Sequence, residues 1–385
     1  MSDIKIRYID HTGVPKNSRV CLYGVGKGGA ESLQLLRQIR PDVEVVFFAD
    51  TYNSGSYEGF EIIRPQNLVD RQNEFDLILV CSCYYTEIIT NLYSVGIKNA
   101  VGFSWPKFYS YLFLPDELGR RAEEINYIMN ALHSDTDRAL FKLLCEARVA
   151  GSAQVELLYG SAGKECFVFK ESRLENNFSE HTASSYFDFV DLSIVEFAVQ
   201  AGVYNGSEAL FLTGQEQLKV VYGFEPQGNT FFPHETQQSL NDSGKFVLIS
   251  KGLWNSNSVA DFALDGSASF VKGLSDAQNS STVQLVVLDE ELKKLAIPRL
   301  DLLIADIENA EIPMLEGAMK CIEQDRPQLA ICFYHSKEQF LGIPLMLMKQ
   351  LKDYIFKIGH YSRGLGESVF YAIPKEKYSG FHSCS

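Results

Sequence analysis

The sequence predicts an α/β chain of two Rossmann-like domains, and three observations carry that expectation. Short apolar strands alternate with amphipathic helices in two stretches, one from Arg19 to about Leu114 and one from Ser193 onward. Each stretch opens with strand, glycine turn and helix: "CLYGVGKGGAESLQLL" from Cys21 to Leu36, and "VEFAVQAGVYNGSEALFL" from Val195 to Leu212. The second strand of each ends in an acid, Asp50 and Glu225. At 385 residues the chain is also longer than one ordinary core supports.

Composition narrows the function classes. The chain is 46% hydrophobic and 22% charged, with a formal net charge of −14. An acidic chain without a Lys/Arg cluster argues against nucleic acid or an anionic membrane as partner. The start "MSDIKIRYID" has no basic region followed by an apolar run, and no segment approaches 18 uninterrupted apolar residues. The eight cysteines are scattered, and the C-x-C of Cys81 and Cys83 sits in a buried-strand pattern. Cysteines used as small hydrophobes fit a reducing cytoplasm and not a thiolate metal site; no metal ligands are assigned, and a metal at the acidic cluster stays an open alternative.

In the first stretch "RVCLYG", "VEVVFFAD" and "FDLILVCS" read as buried strands, with helices in "GAESLQLLRQI" and "YYTEIITNLYSVGI". Buried strands alternating with helices make a parallel sheet covered on both faces. A helical connector of two helices follows over 115–151, with starts at Pro115-Asp116 and Ser134-Asp135. "ENNFSEHTASS" reads as a polar loop ahead of the second core. The expected domains are therefore 1–114, 115–151 and 152–385. In the last of these, "SIVEFAVQA", "LKVVYGFEP", "KFVLIS", "RLDLLIAD" and "PQLAICFYH" are strands, interrupted by a hairpin turning at Asp265-Gly266 and by "STVQLVVLD". "YIFKIGHYSRGLGESVFYAIP" gives two final strands, an antiparallel finish to a mostly parallel sheet.

The glycine turns point to ligands with phosphate or ribose groups. Gly24, Gly26 and Gly29 fit G-x-G-x-x-G, with Asp50 21 residues after Gly29, and Lys27 inside the turn can meet a phosphate as a point charge. The same glycines also serve a tight turn for packing alone. In the second stretch, Gly202 and Glu225 are 23 residues apart. A carboxylate there can accept from both hydroxyls of a ribose, whether of NAD or of S-adenosylmethionine.

The ordered blocks "FEP", "VVLDEEL", "DLLIADIENAEIPMLEGAMKCIEQDRPQLAICFYH" and "GHYSRGLGESVFYAIP" resemble the FkbM family of S-adenosylmethionine-dependent methyltransferases over Phe189–Pro374. The resemblance implies a seven-stranded class I methyltransferase sheet with the last strand reversed, and S-adenosylmethionine as cofactor. It places Gly202 and Gly206 against the methionine end of that cofactor and Glu225 on its ribose. Asp306, Glu308 and Glu311 match the family's D-x-E-G-x-E block, and His335 matches its "YH". Gln200, Ala305 and Asn309 stand where the family usually has an acid, a lysine and a glycine; Gln200 keeps hydrogen bonding to the methionine amine without the ionic component.

A sugar-type hydroxyl needs a base within hydrogen-bond reach. Asp306 and His335 end neighbouring strands, so His335 is expected to take the acceptor proton with Asp306 orienting it. Glu308 is either catalytic or an anion at a helix N-terminus. Trp254 borders the adenine site or belongs to the core, and His360 and Tyr361 line an acceptor pocket or serve sheet packing. The run from "VCLYGVGKGGAE" to "FDLILVCSCYY" looks like the nucleotide-sugar-binding domain of sialic-acid and bacillosamine-type acetyltransferases, with Gly55 and Gly59 in a loop after the second strand's acid. The expected activity is O-methyl transfer to a hydroxyl of a sugar, glycan precursor or similar metabolite. The partners are that acceptor and a nucleotide sugar at the N-terminal domain, and a homo-oligomer is compatible with the sequence. An inert FkbM-like scaffold, and an NAD-dependent oxidoreductase using the first turn, are the alternatives.

Overall fold

The computed structural model describes residues 7–9, 11–82, 85–103, 113, 115–149, 185–263, 270–271, 280–361 and 365–378. Cys83, most of the polar loop and the turn at Asp265-Gly266 lie outside the described residues. Contacts divide the chain into two units, 1–119 with 143–166, and 120–142 with 167–385.

The first unit contains β1 (Tyr8–Ile9), β2 (Arg19–Tyr23), α1 (Lys27–Ile39), β3 (Glu44–Ala49), β4 (Gly55–Tyr57), β5 (Phe60–Ile63), β6 (Leu77–Val80), α2 (Tyr85–Ser94) and β7 (Ala100–Phe103). Its sheet runs β1-β7-β6-β2-β3-β5-β4, parallel except at β4. Val20, Leu22, Phe48, Leu79 and Val101 are fully or nearly fully buried in its core. The stretch with Gly55 and Gly59 is a hairpin rather than a loop. Its two-residue turn has Glu58 at φ 51° and Gly59 at φ 85°, the doubly left-handed geometry that matches strand twist.

Three helices follow where two were expected: α3 (Pro115–Arg120), α4 (Ala122–Ala131) and α5 (Asp135–Ala147). The Ser134 hydroxyl accepts from the Asp137 N–H, and the Asp137 carboxylate accepts from the Ser134 N–H, a reciprocal cap on α5. Asp137 also pairs with Lys357 at 3.0 Å and accepts from the Ile358 N–H, which ties α5 to the second unit's sheet.

The second unit contains β8 (Phe197–Ala201), α6 (Ser207–Thr213), β9 (Val220–Phe224), α7 (His234–Ser243), β10 (Phe246–Ile249), β11 (Gly252–Leu253), β12 (Ser258–Ala263), β13 (Phe270–Val271), β14 (Ser280–Val286), α8 (Leu288–Lys294), β15 (Leu302–Ala305), α9 (Glu311–Asp325), β16 (Gln328–Cys332), α10 (Lys337–Gln350), β17 (Tyr354–His360) and β18 (Ser368–Pro374). Seven strands form one sheet in the order β10-β9-β8-β15-β16-β18-β17. β18 is antiparallel to both neighbours, as the sequence predicts. The expected interruptions form a separate sheet, β11-β14-β12-β13. Each apolar side chain buried between sheet and helices, such as Leu302, Ile304 or Val369, contributes about 1.5–3 kcal/mol.

The chain leaves β8 to one side through β9 and β10, then returns to place β15 on the other. In register, Ala201 stands opposite both Phe224 and Ala305. The loops after β8, β9 and β15 therefore emerge level, at the switch point where open α/β sheets hold ligands.

Candidate active site

A cavity of about 370 Å³ opens at that point. Gln200, Gly202, Glu208, Glu225, Asp306, Glu308, Tyr334 and Glu367 are in its wall. Trp254 also lines it. His360 is buried in β17 against Ser368 at 2.8 Å, and Tyr361 bonds Tyr371 at 2.6 Å, so both serve hairpin packing.

Close approach fixes the second glycine turn. Gly202 has φ +79°, and a Cβ there would stand 2.0 Å from the Asp306 carbonyl oxygen. Gly206, at φ +82°, is the N-cap of α6. Glu225 accepts from the Val203 and Tyr204 N–H groups at 3.2 Å and from Gln227 at 3.1 Å. Gln200 donates through Nε2 to the Gly202 carbonyl, while its Oε1 is buried without a hydrogen-bond partner. Glu208, in the first turn of α6, has its pKa raised by burial, against the opposing contacts of its own N–H, Ser207 and Gln200.

Asp306 follows β15 and is a hub. Its Oδ2 accepts from Tyr186 at 2.6 Å and from Tyr334 at 3.3 Å, and its Oδ1 stands 3.1 Å from His335 Nε2. The His335 ring is 1% exposed, with Nδ1 2.9 Å from Glu311 Oε1 and Nε2 3.7 Å from Glu308 Oε1. It lies behind Asp306 and does not line the cavity. Burial alone would push its imidazole pKa down. The charges of Glu311 and Glu308, with the Asp306 contact, instead hold it well above the ordinary value. Burial, followed by the Asp306 charge, pushes the Glu367 carboxyl up to about 8.

The departure at Asn309 has a conformational answer. Glu308 and Asn309 are both left-handed, at φ 51° and 74°. Asn is among the side chains that accept that region with least strain, so it holds a turn that a glycine would hold. Its side chain also donates to the His335 carbonyl at 3.3 Å.

The first glycine turn is built differently. A Cβ on Gly29 would stand 1.9 Å from the Gly24 carbonyl oxygen, whereas one on Gly26 would meet nothing within 4 Å. Asp50 Oδ2 accepts from the Val25 N–H at 2.9 Å, and Oδ1 from Tyr52 and Asn53 at 2.8 Å. Burial would raise its pKa, but these N–H groups outweigh it and hold the carboxyl below the usual range. Lys27 is an exposed first residue of α1.

Sequence reasoning brought Gly202, Gln200, Glu225, Asp306, Glu308 and His335 to one place. It missed Glu208, Glu367, Tyr334 and Tyr186. Tyr334 adjoins His335 in "FYH", which is a signal; Tyr186 is 120 residues from Asp306 and carries none. Cys21, Cys81, Cys145, Cys321 and Cys332 are free and buried, as expected of small hydrophobes. Among the described residues no helix is long and apolar enough to cross a membrane.

A seven-stranded sheet with β18 reversed and a cleft at its switch point defines the class I methyltransferase fold. The family model described as methyltransferase FkbM domain matches residues 200–359, and the model described as C2185-like, N-terminal, matches residues 16–101. The fold is similar to that of methyltransferase FkbM from Methylobacillus flagellatus KT, with a TM-score of 0.60, 14% identity, and 93% of this chain and 90% of that one covered. An rRNA methylase from Streptococcus thermophilus (TM-score 0.29, 17% identity) covers 49% of this chain and 90% of its own. Aeropyrum pernix fibrillarin with natively bound S-adenosyl-L-methionine (TM-score 0.30, 14% identity) covers 50% and 73%. A comparison with curated proteins gave no match.

Proposed function

We propose that the chain is an S-adenosylmethionine-dependent O-methyltransferase acting on a hydroxyl of a sugar, glycan precursor or similar metabolite. The observation that supports it is an orphaned acceptor in the cavity wall: Gln200 Oε1, on a residue 3% exposed, beside Glu208. A methionine ammonium has three N–H donors to offer such a pair. Glu208 then supplies the negative charge that position 200 lacks. Glu225 takes the ribose hydroxyls on the lone pairs that its three backbone N–H contacts leave free. Gly202 leaves the turn bare where the methionine end passes.

When bound, the cofactor supplies a methyl group on a cationic sulfur, which keeps the C–S electron pair as the C–O bond forms. In the chain itself, Asp306 faces the cavity and receives the acceptor's proton, while Tyr186 and Tyr334 hold its carboxylate in place. His335, sealed behind it, positions Asp306 instead of acting as the base. For the first unit we read the glycine turn as structural, because Asp50 already accepts four N–H donors, from Val25, Tyr52 and the backbone and side chain of Asn53, where Glu225 accepts three.

Calorimetric titration with S-adenosylhomocysteine, beside a Glu225→Ala control, tests this reading. One-to-one binding that weakens at least tenfold in the control supports it. Absence of binding by the intact chain sinks it and leaves the inert scaffold.

A further inference from the structure

Behind the cavity wall, three side chains converge. One oxygen each of Asp306 and Glu311 and one ring nitrogen of His335 lie within 4.8 Å of one another. Glu308 Oε1 stands 3.7 Å from the same imidazole. Proximity of acids alone says little, but two further features concern unmet bonding capacity. Both His335 nitrogens are buried without a hydrogen bond; their carboxylate neighbours, at 3.1 and 2.9 Å, stand at ion-pair distance but off the hydrogen-bond line. Glu311, 0% exposed, uses Oε1 to accept from the Ile307 N–H at 2.9 Å and leaves Oε2 with no partner.

We propose that Asp306, Glu311 and His335 bind a divalent transition-metal ion, with Glu308 close enough to join them. The three ligand atoms lie within 4.8 Å of one another, but Asp306 stands beside Nε2 and Glu311 beside Nδ1, so an ion held by one ring nitrogen at about 2.0–2.2 Å draws the other carboxylate in by a side-chain rotation. Imidazole with carboxylates favours Zn²⁺ or Mn²⁺ over Mg²⁺ or Ca²⁺, whose sites are all oxygen. Two positive charges offset the carboxylates of buried Glu311 and half-buried Asp306 and Glu308 as a proton on His335 alone does not. Sequence spacing gave no metal signal because the ligands come from three separate places: the end of β15, the start of α9 and the loop after β16. The site goes beyond methyl transfer and stands whether or not that reading holds.

The test uses the full chain, stripped with a chelator and titrated calorimetrically with ZnCl₂ and with MnCl₂. The expected result is one ion per chain for at least one metal, weakened roughly 100-fold or more in His335→Gln and in Glu311→Gln. Thermal melting without metal shows whether each variant is folded, and Asp306→Asn stands in for any that is not. S-adenosylhomocysteine binding is measured separately, so failure of the methyltransferase reading leaves the metal result intact. Neither metal binding one-to-one, or folded variants binding as the parent does, overturns the proposal; the cluster is then an imidazolium held by carboxylates.

Discussion

Glu311 Oε1 lies 2.9 Å from His335 Nδ1, between two side chains that are at most 1% exposed. The same oxygen accepts from the Ile307 N–H. Removing the carboxylate strands a buried imidazole and a backbone donor together. Glu311→Ala is therefore expected to lower stability by about 3–5 kcal/mol, and Glu311→Gln, which can still serve Ile307, by about 1–3 kcal/mol. Urea unfolding followed by circular dichroism measures both. Equal losses for the two would mean that packing, not charge, sets the cost.

Asp306→Asn keeps the shape of the hub and removes its basicity. Turnover on an accepted hydroxyl substrate should fall by roughly 10²–10⁴-fold, with affinity for S-adenosylhomocysteine changed only a few-fold. Unchanged turnover would place the base elsewhere.

Two glycine substitutions separate the two turns. Gly202→Ala places a methyl 2.0 Å from the Asp306 carbonyl at φ +79°, and should cost about 1–3 kcal/mol and abolish S-adenosylhomocysteine binding. Gly26→Ala meets open space at φ −74°, and should be neutral or stabilise by about 0.4–1 kcal/mol. Differential scanning calorimetry of the pair decides; a large loss at Gly26 would assign that turn a tighter task.

The proposed pairing of Glu208 with the methionine ammonium predicts pH-dependent binding. The Glu208 pKa is raised by burial, so protonation persists above the ordinary carboxylate range and removes the charge that meets an ammonium. Binding of S-adenosylhomocysteine should therefore strengthen as pH rises through that raised pKa. Glu208→Gln should flatten the profile and weaken binding by about tenfold, or ~1.4 kcal/mol. Adenosine, which has no ammonium, should show neither effect. A parallel loss of adenosine binding would count against the pairing.

Lys357 and Asp137 form a pair 3.0 Å apart with side chains 11% and 2% exposed. Asp137→Ala leaves a cation uncompensated beneath the sheet and should destabilise by about 3–5 kcal/mol. Adding Lys357→Met should recover part of it. Chemical denaturation of the single and double variants reads this out, and no recovery would assign the loss to the cap at Ser134.

Two glycine turns, two closing acids and the reversed last strand follow from local spacing, because apolar periodicity and left-handed φ requirements are written residue by residue. So do the two sheets, and the clustering of Gly202, Glu225 and Asp306, since level strand ends share an edge. Which acid stays available for a ligand was not legible. Asp50 and Glu225 look alike in sequence, yet only packing decides that the first accepts four N–H groups and the second three. The order of Asp306 in front of His335 was equally hidden, because side-chain depth behind a sheet edge depends on what packs there. That Glu208 stands beside Gln200 in the cavity wall, and that Asn309 takes a left-handed conformation, are relations between residues and backbone angles that only the folded chain brings together.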